Sequence, residues 1–185
     1  RPGPDRYAWS WAVLGLLSLL ALVPVLVTLD ETRVYAVLTA PVLAGAAAID
    51  PMPGASAWVF AVVLFLWTPP HFWSLAMYYR QDYADAGVPM LPVVFGDRVA
   101  ARVIFWHTVP LVLVSLLPLA LGAGWIYGVG AVTGGAYFLK RTYLLSRSQT
   151  PSNAIRSFLA SLLQLGLLLA GAIVEGAVTG SLIRF

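Results

Sequence analysis

The side chains of this sequence that could do chemistry crowd into two neighbouring strings. The first is Trp67-Thr68-Pro69-Pro70-His71-Phe72-Trp73. The second is Tyr78-Tyr79-Arg80-Gln81-Asp82-Tyr83-Ala84-Asp85-Ala86-Gly87-Val88-Pro89-Met90-Leu91-Pro92. His71 sets an acid–base group in an apolar run, and an ionisable residue in a membrane segment is a functional candidate by default. Pro69 and Pro70 remove two backbone donors and predict a broken helix, tolerated only where it is buried in protein or lines a cavity. The second string sets Arg80 near Asp82 among tyrosines and closes on Gly87-Val88-Pro89, a turn in which glycine allows positive φ. Arg98, Arg102 and His107 follow within a few turns. Plainer readings stand beside these. Trp and Tyr at helix ends form interfacial belts. Arg80 and Asp82 read equally as solvated loop charges, His71 as a partner for backbone freed by the prolines, and His107 as a packing residue. Arg98 and Arg102 also read as snorkelling, orientation-setting cations.

The elements that carry these residues are membrane helices. Of 185 residues, 60% are hydrophobic and 10% charged, against about 45–50% and about 25% in soluble domains, and the mean hydropathy is +0.84. Water is not the solvent for most of such a surface, and disorder, a disulfide scaffold and a coiled coil are excluded. There is no cysteine, which removes thiol redox chemistry, thioether haem attachment and zinc-thiolate sites. Uncharged runs predict six helices, since about 20 apolar residues cross the hydrocarbon. These are Tyr7–Leu29, Val34–Ile49, one from Ala55 to Tyr79, two within Val103–Leu139 parted at Gly122-Ala123-Gly124, and Ser157–Val174. No run alternates as a barrel strand would. The fold class is all-α, a polytopic transmembrane helix bundle forming one domain over 1–185, with a polar loop at 79–102.

Six crossings put both termini on one side. Arg1, Arg6 and Arg184 lie there, whereas Arg33, Arg80, Arg98, Arg102, Lys140, Arg141, Arg147 and Arg156 lie on the other. Basic residues mark the cytoplasmic side, so the 79–102 loop is expected to be cytoplasmic. The net charge of +3 reports that topology and not a nucleic-acid partner.

The first string, continued by Tyr79-Arg80-x-Asp82-Tyr83-x-x-Ala86-Gly87-Val88-Pro89-Met90-Leu91-Pro92-Val93, resembles the signature of the heme O synthases (protoheme IX farnesyltransferases), a branch of the UbiA-type intramembrane prenyltransferases. The resemblance is strong from Ala57 to about Arg102. Such proteins look like nine-helix bundles with an aspartate-rich loop after the second helix and another polar loop after the sixth. The present loop resembles the latter, so this chain resembles the last six helices, the C-terminal portion of a longer protein that begins upstream of Arg1. No Asp-x-x-x-Asp occurs in the chain, and this stretch by itself is not expected to turn over.

The resemblance implies transfer of the farnesyl group of farnesyl diphosphate to a vinyl group of heme B, giving heme O in a bacterial plasma membrane. It implies Mg2+ at the diphosphate, with Asp82 as its contact, and His71, Arg80, Asp82 and Tyr83 as catalytic residues. Trp67, Phe72, Trp73, Tyr79, Arg98, Arg102 and His107 would line the substrates. The implied partners are heme B, farnesyl diphosphate, the lipid bilayer, and heme A synthase or oxidase assembly factors. Two other classes remain open: a non-catalytic heme- or lipid-binding membrane protein, and a six-helix transporter with Pro69-Pro70 as its broken helix.

Overall fold

A computed structural model describes residues 55–179, all within one compact unit. The expected helices Tyr7–Leu29 and Val34–Ile49 lie outside the described residues. Those that are described form seven helices and no strand: α1 Ala55–Tyr78, α2 Arg80–Asp85, α3 Leu91–Phe95, α4 Asp97–Ser115, α5 Leu117–Ala120, α6 Trp125–Arg147 and α7 Pro151–Thr179. Three segments, Trp58–Tyr78, Asp97–Ala120 and Pro151–Thr179, are long and apolar enough to cross a membrane.

The four long helices close into a ring in which α1 packs on α4 and α7, and α6 packs on α4 and α7. The seam between α6 and α7 is the closest, because glycine lets backbones approach. A Cβ on Gly130 would lie 2.7 Å from the Leu167 carbonyl oxygen, and one on Gly134 would lie 3.1 Å from the Gln164 Cα. Across the ring, Val63, Leu66, Leu111, Tyr127, Phe138 and Leu168 fill the middle. A second cluster of Trp73, Met77, Leu91, Ile104, Leu145 and Ala154 fills the end that carries α2 and α3, the charged end.

The expected break at Pro69-Pro70 does not occur: α1 runs through both prolines. The proline step is buried, and side chains hold the turns on either side. Thr68 Oγ1 donates to the Leu64 carbonyl at 2.8 Å and Ser74 Oγ to the Pro70 carbonyl at 2.6 Å. The 79–102 stretch is likewise not an irregular loop. It holds α2, α3 and the first turns of α4, so Arg98 and Arg102 are helical. Charged residues end an uncharged run, but they do not end a helix whose last turns leave the hydrocarbon. For the same reason α6 runs on to Arg147 and α7 begins at Pro151. The expected turn at Gly122-Ala123-Gly124 is where the structure turns, with Gly122 at φ 102°. At the other connection Pro151 opens α7, and the Asn153 amide donates to Thr150 Oγ1 at 3.2 Å, a capped start.

Candidate functional site

The helical period divides the aromatic candidates between two faces of α1. Trp67, His71 and Ser74, spaced by four and three, meet α7. The Trp67 indole N–H donates to the Ser161 carbonyl at 2.9 Å. The His71 ring lies between two others, with centroids 4.1 Å from Trp67 and 4.5 Å from Phe158, both near-parallel. Phe72 meets it edge-on at 5.2 Å. Ser161 Oγ stands 2.7 Å from His71 Nδ1 and gives its own proton to the Phe158 carbonyl at 2.6 Å. A hydroxyl has one proton, so with that proton on the Phe158 carbonyl the Ser161 oxygen accepts the N–H of Nδ1, the tautomer that carries its lone pair on Nε2. Ser74 repeats the pattern one turn on: its Oγ donates to Pro70 and lies 2.9 Å from Ser157 Oγ. The bond expected from His71 to backbone freed by the prolines is thus made to a serine of α7 instead.

Trp73, two residues on, lies on the face toward α4. His107 approaches it edge-on at 5.8 Å, and His107 Nε2 is buried with no hydrogen-bond partner among the described residues. The structure therefore brings Trp67, His71 and Phe72 together, and separately Trp73 and His107.

The third group sits beyond the end of α1. Tyr78 and Tyr79 are exposed and meet edge-on at 4.8 Å. Arg80 opens α2 and reaches back across the hairpin: its Nε donates to the Pro92 carbonyl at 3.2 Å and lies 3.5 Å from Asp97 Oδ1. Tyr83 is half-buried, and its carbonyl receives the Val88 amide at 2.9 Å, which closes the turn at Gly87, where φ is 69°. Leu91 and Pro92 are buried and root the far arm of the hairpin. Asp82 is exposed, and its carboxylate has no partner among the described residues. Asp85 is bonded to Gln81 at 2.8 Å. Arg98 and Arg102 are exposed on the first turns of α4. No three His, Cys, Asp or Glu side chains gather as a metal cage among the described residues. Among the described residues, Asp82 is the carboxylate at this end that no hydrogen bond or ion pair engages.

Sequence reasoning missed two residues. One is Asp97, the acid that meets Arg80. The other is Glu175, which is buried and whose Oε2 accepts the amides of Ile126 and Tyr127 at 3.0 and 3.2 Å. It caps the start of α6, where the helix dipole favours a negative charge. The one local hint was the glycine at 124, where a Cβ would overlap the Glu175 carboxylate.

Residues 26–168 match the profile of the UbiA prenyltransferase family. Among individual relatives, Protoheme IX farnesyltransferase 2 of Paramagnetospirillum magneticum is 48% identical over 139 residues, which are 75% of this chain and 48% of that protein. The Protoheme IX farnesyltransferases of Cupriavidus taiwanensis and Burkholderia cenocepacia are 42% and 40% identical over 136 residues, 73% of this chain and 44% and 45% of theirs. The chain thus spans about half the length of the relatives it matches. No solved structure matches it. An all-helical bundle with apolar spans, a match over most of the chain and these relatives agree: the chain belongs to the UbiA prenyltransferase family.

Proposed function

We propose that this chain is the C-terminal portion of a protoheme IX farnesyltransferase. In the reaction, the bond from C1 of farnesyl to its diphosphate oxygen breaks, and the bonding pair leaves with the diphosphate. The vinyl π pair of heme B forms the new carbon–carbon bond to C1. Water adds to the cation left on the vinyl carbon and loses a proton, giving the hydroxyfarnesyl group of heme O. The observation that carries this reading is the 48% identity over 139 residues to a protein of that name.

The residues have separable tasks. Arg80, half-exposed at the charged end, would meet the diphosphate, because guanidinium binds phosphate oxygens in pairs. The exposed Asp82 carboxylate would hold Mg2+, which binds through one or two carboxylates together with substrate phosphates. When bound, that ion neutralises charge on the leaving diphosphate. Tyr79 and Tyr83 flank this end and offer ring faces to an allylic cation and hydroxyls to the phosphate. Inside the bundle, His71 is held by two stacked rings and by Ser161 at Nδ1. It would contact heme or take the proton from the adding water. Trp67, Phe72, Trp73 and His107 would supply apolar wall for porphyrin and isoprenoid. Arg98 and Arg102 would meet heme propionates or phosphate. The charged end is assigned to the cytoplasm of a bacterial plasma membrane on the distribution of basic residues, and heme A synthase or oxidase assembly factors are the partners that would receive the product. The unbroken course of α1 takes away the feature on which a transporter reading rested.

The test is paired heme titration and single-turnover farnesylation on the full-length protein bearing Arg80→Ala, Asp82→Ala or His71→Ala. Loss of turnover with heme binding kept is expected for the first two, and an altered heme spectrum for the third. Wild-type rates for both Arg80→Ala and Asp82→Ala would sink the assignment.

A further inference from the structure

Arg80 is held by one edge. Both of its contacts, to the Pro92 carbonyl at 3.2 Å and to Asp97 Oδ1 at 3.5 Å, are made by Nε. A guanidinium carries five donors in a rigid planar fork. With Nε engaged, its two Nη nitrogens are left, and neither has a partner among the described residues. The gripping side is fixed by the fold. Leu91 and Pro92 are buried in the charged-end cluster, and Gly96, at φ 79°, turns the chain so that Asp97 begins α4. Asp97 Oδ1 is itself buried and receives no hydrogen bond from the described residues. At 3.5 Å its tie to Arg80 is an ion pair and not a formed hydrogen bond, so what it supplies is charge placed behind the guanidinium.

We propose that Asp97 is a positioning residue, which with the Pro92 carbonyl holds the Nε edge of Arg80 and leaves the Nη pair as a preset two-pronged donor for a diphosphate. The inference rests on the reading of Arg80 as the diphosphate contact. An arginine held in its binding rotamer gives up less freedom when phosphate arrives. The role of Asp97 therefore falls on affinity for the diphosphate substrate and not on the heme side of the reaction.

The experiment is steady-state kinetics of the full-length protein, with farnesyl diphosphate and heme B varied separately. Asp97→Asn should raise KM for farnesyl diphosphate about tenfold, the size of one charge-assisted contact. KM for heme B and kcat should stay within about threefold of wild type. Asp97→Glu, which restores the charge, should recover most of the loss. Asp85→Asn removes the same charge from the same hairpin and should leave KM for farnesyl diphosphate unchanged. Combined with Arg80→Gln, Asp97→Asn should add nothing further, since the two act as one unit. Asp97→Ser takes the place of Asp97→Asn if that variant does not fold. An equal rise in both KM values, an equal effect of Asp85→Asn, or full additivity with Arg80→Gln overturns the positioning role. Arg80→Gln with unchanged KM for farnesyl diphosphate would instead overturn the assignment of Arg80, whatever Asp97 does.

Discussion

The two ends of the bundle use carboxylates in opposite ways. At the Gly124 end Glu175 is buried, and one of its oxygens accepts two backbone amides of α6. At the charged end Asp82 stands exposed, and Asp97 shares one ion pair with an arginine; among the described residues the Asp82 carboxylate and the two Nη nitrogens of that arginine have no partner. A buried carboxylate with amides on it has its capacity spent on the fold, because leaving those amides bare costs more than the bonds gain. A carboxylate or guanidinium left open in water contributes little to stability and remains available to a ligand. The division between holding the molecule together and acting on something else thus follows the hydrogen-bond partners, not the residue type.

The largest expected effect falls at the open end. In the full-length protein, Arg80→Ala and Asp82→Ala should each lower single-turnover farnesylation by about 10²–10³, by analogy with other preorganised electrostatic contacts. Neither should shift the thermal unfolding midpoint of the detergent-solubilised protein by more than a degree or two. A large fall in that midpoint would erase the contrast. The spent end should answer in reverse. Glu175→Ala should cost about 2 kcal/mol of stability by baring two helix-start amides, read as a lower unfolding midpoint, while turnover per folded molecule is kept. Gly124→Ala should act on the same contact, so the pair should lose much less than the sum of the singles.

A middle case sharpens the contrast. Ser161→Ala removes the partner of His71 Nδ1 and should cost about 1 kcal/mol. If His71 belongs with the acting residues, the heme absorption spectrum shifts as well. A stability loss without a spectral change would move His71 to the holding side. The smallest effect is expected at Thr150→Ala, which removes the cap of α7 for about 1 kcal/mol or less, with no change in heme spectrum or turnover.

How much of this was legible depends on how local each cause is. The helical class and the turn at Gly122-Ala123-Gly124 follow from runs of apolar residues and from glycine, which act within a few positions. The division of Trp67 and His71 from Trp73 was also legible, since a step of two residues crosses a helix, although a reading by motif pooled them. The continuity of α1 was not. Proline predicts a break from its own chemistry, but here the prolines are buried and the helix is fastened to Ser157 and Ser161, which lie more than eighty residues away in sequence. Arg80 and Asp97 meet only because the hairpin folds back through Gly87 and Gly96, and Glu175 finds its amides only when α6 is laid against α7. The first contact depends on how the hairpin turns, and the second on the assembled ring, whose two partners lie almost fifty residues apart.

The seam between α6 and α7 bears on how the chain enters the bilayer. Three residues, Ser148 to Thr150, join the two helices, and glycine lets them touch backbone to backbone. An acidic side chain on a solitary helix is costly to move into hydrocarbon without a partner. Beside α6 the acid of α7 has amides to meet. The hairpin is therefore the smallest piece of the chain in which Glu175 is satisfied. Biosynthesis is expected to release α6 and α7 from the insertion machinery as a pair, with α6 waiting at the exit until its neighbour arrives.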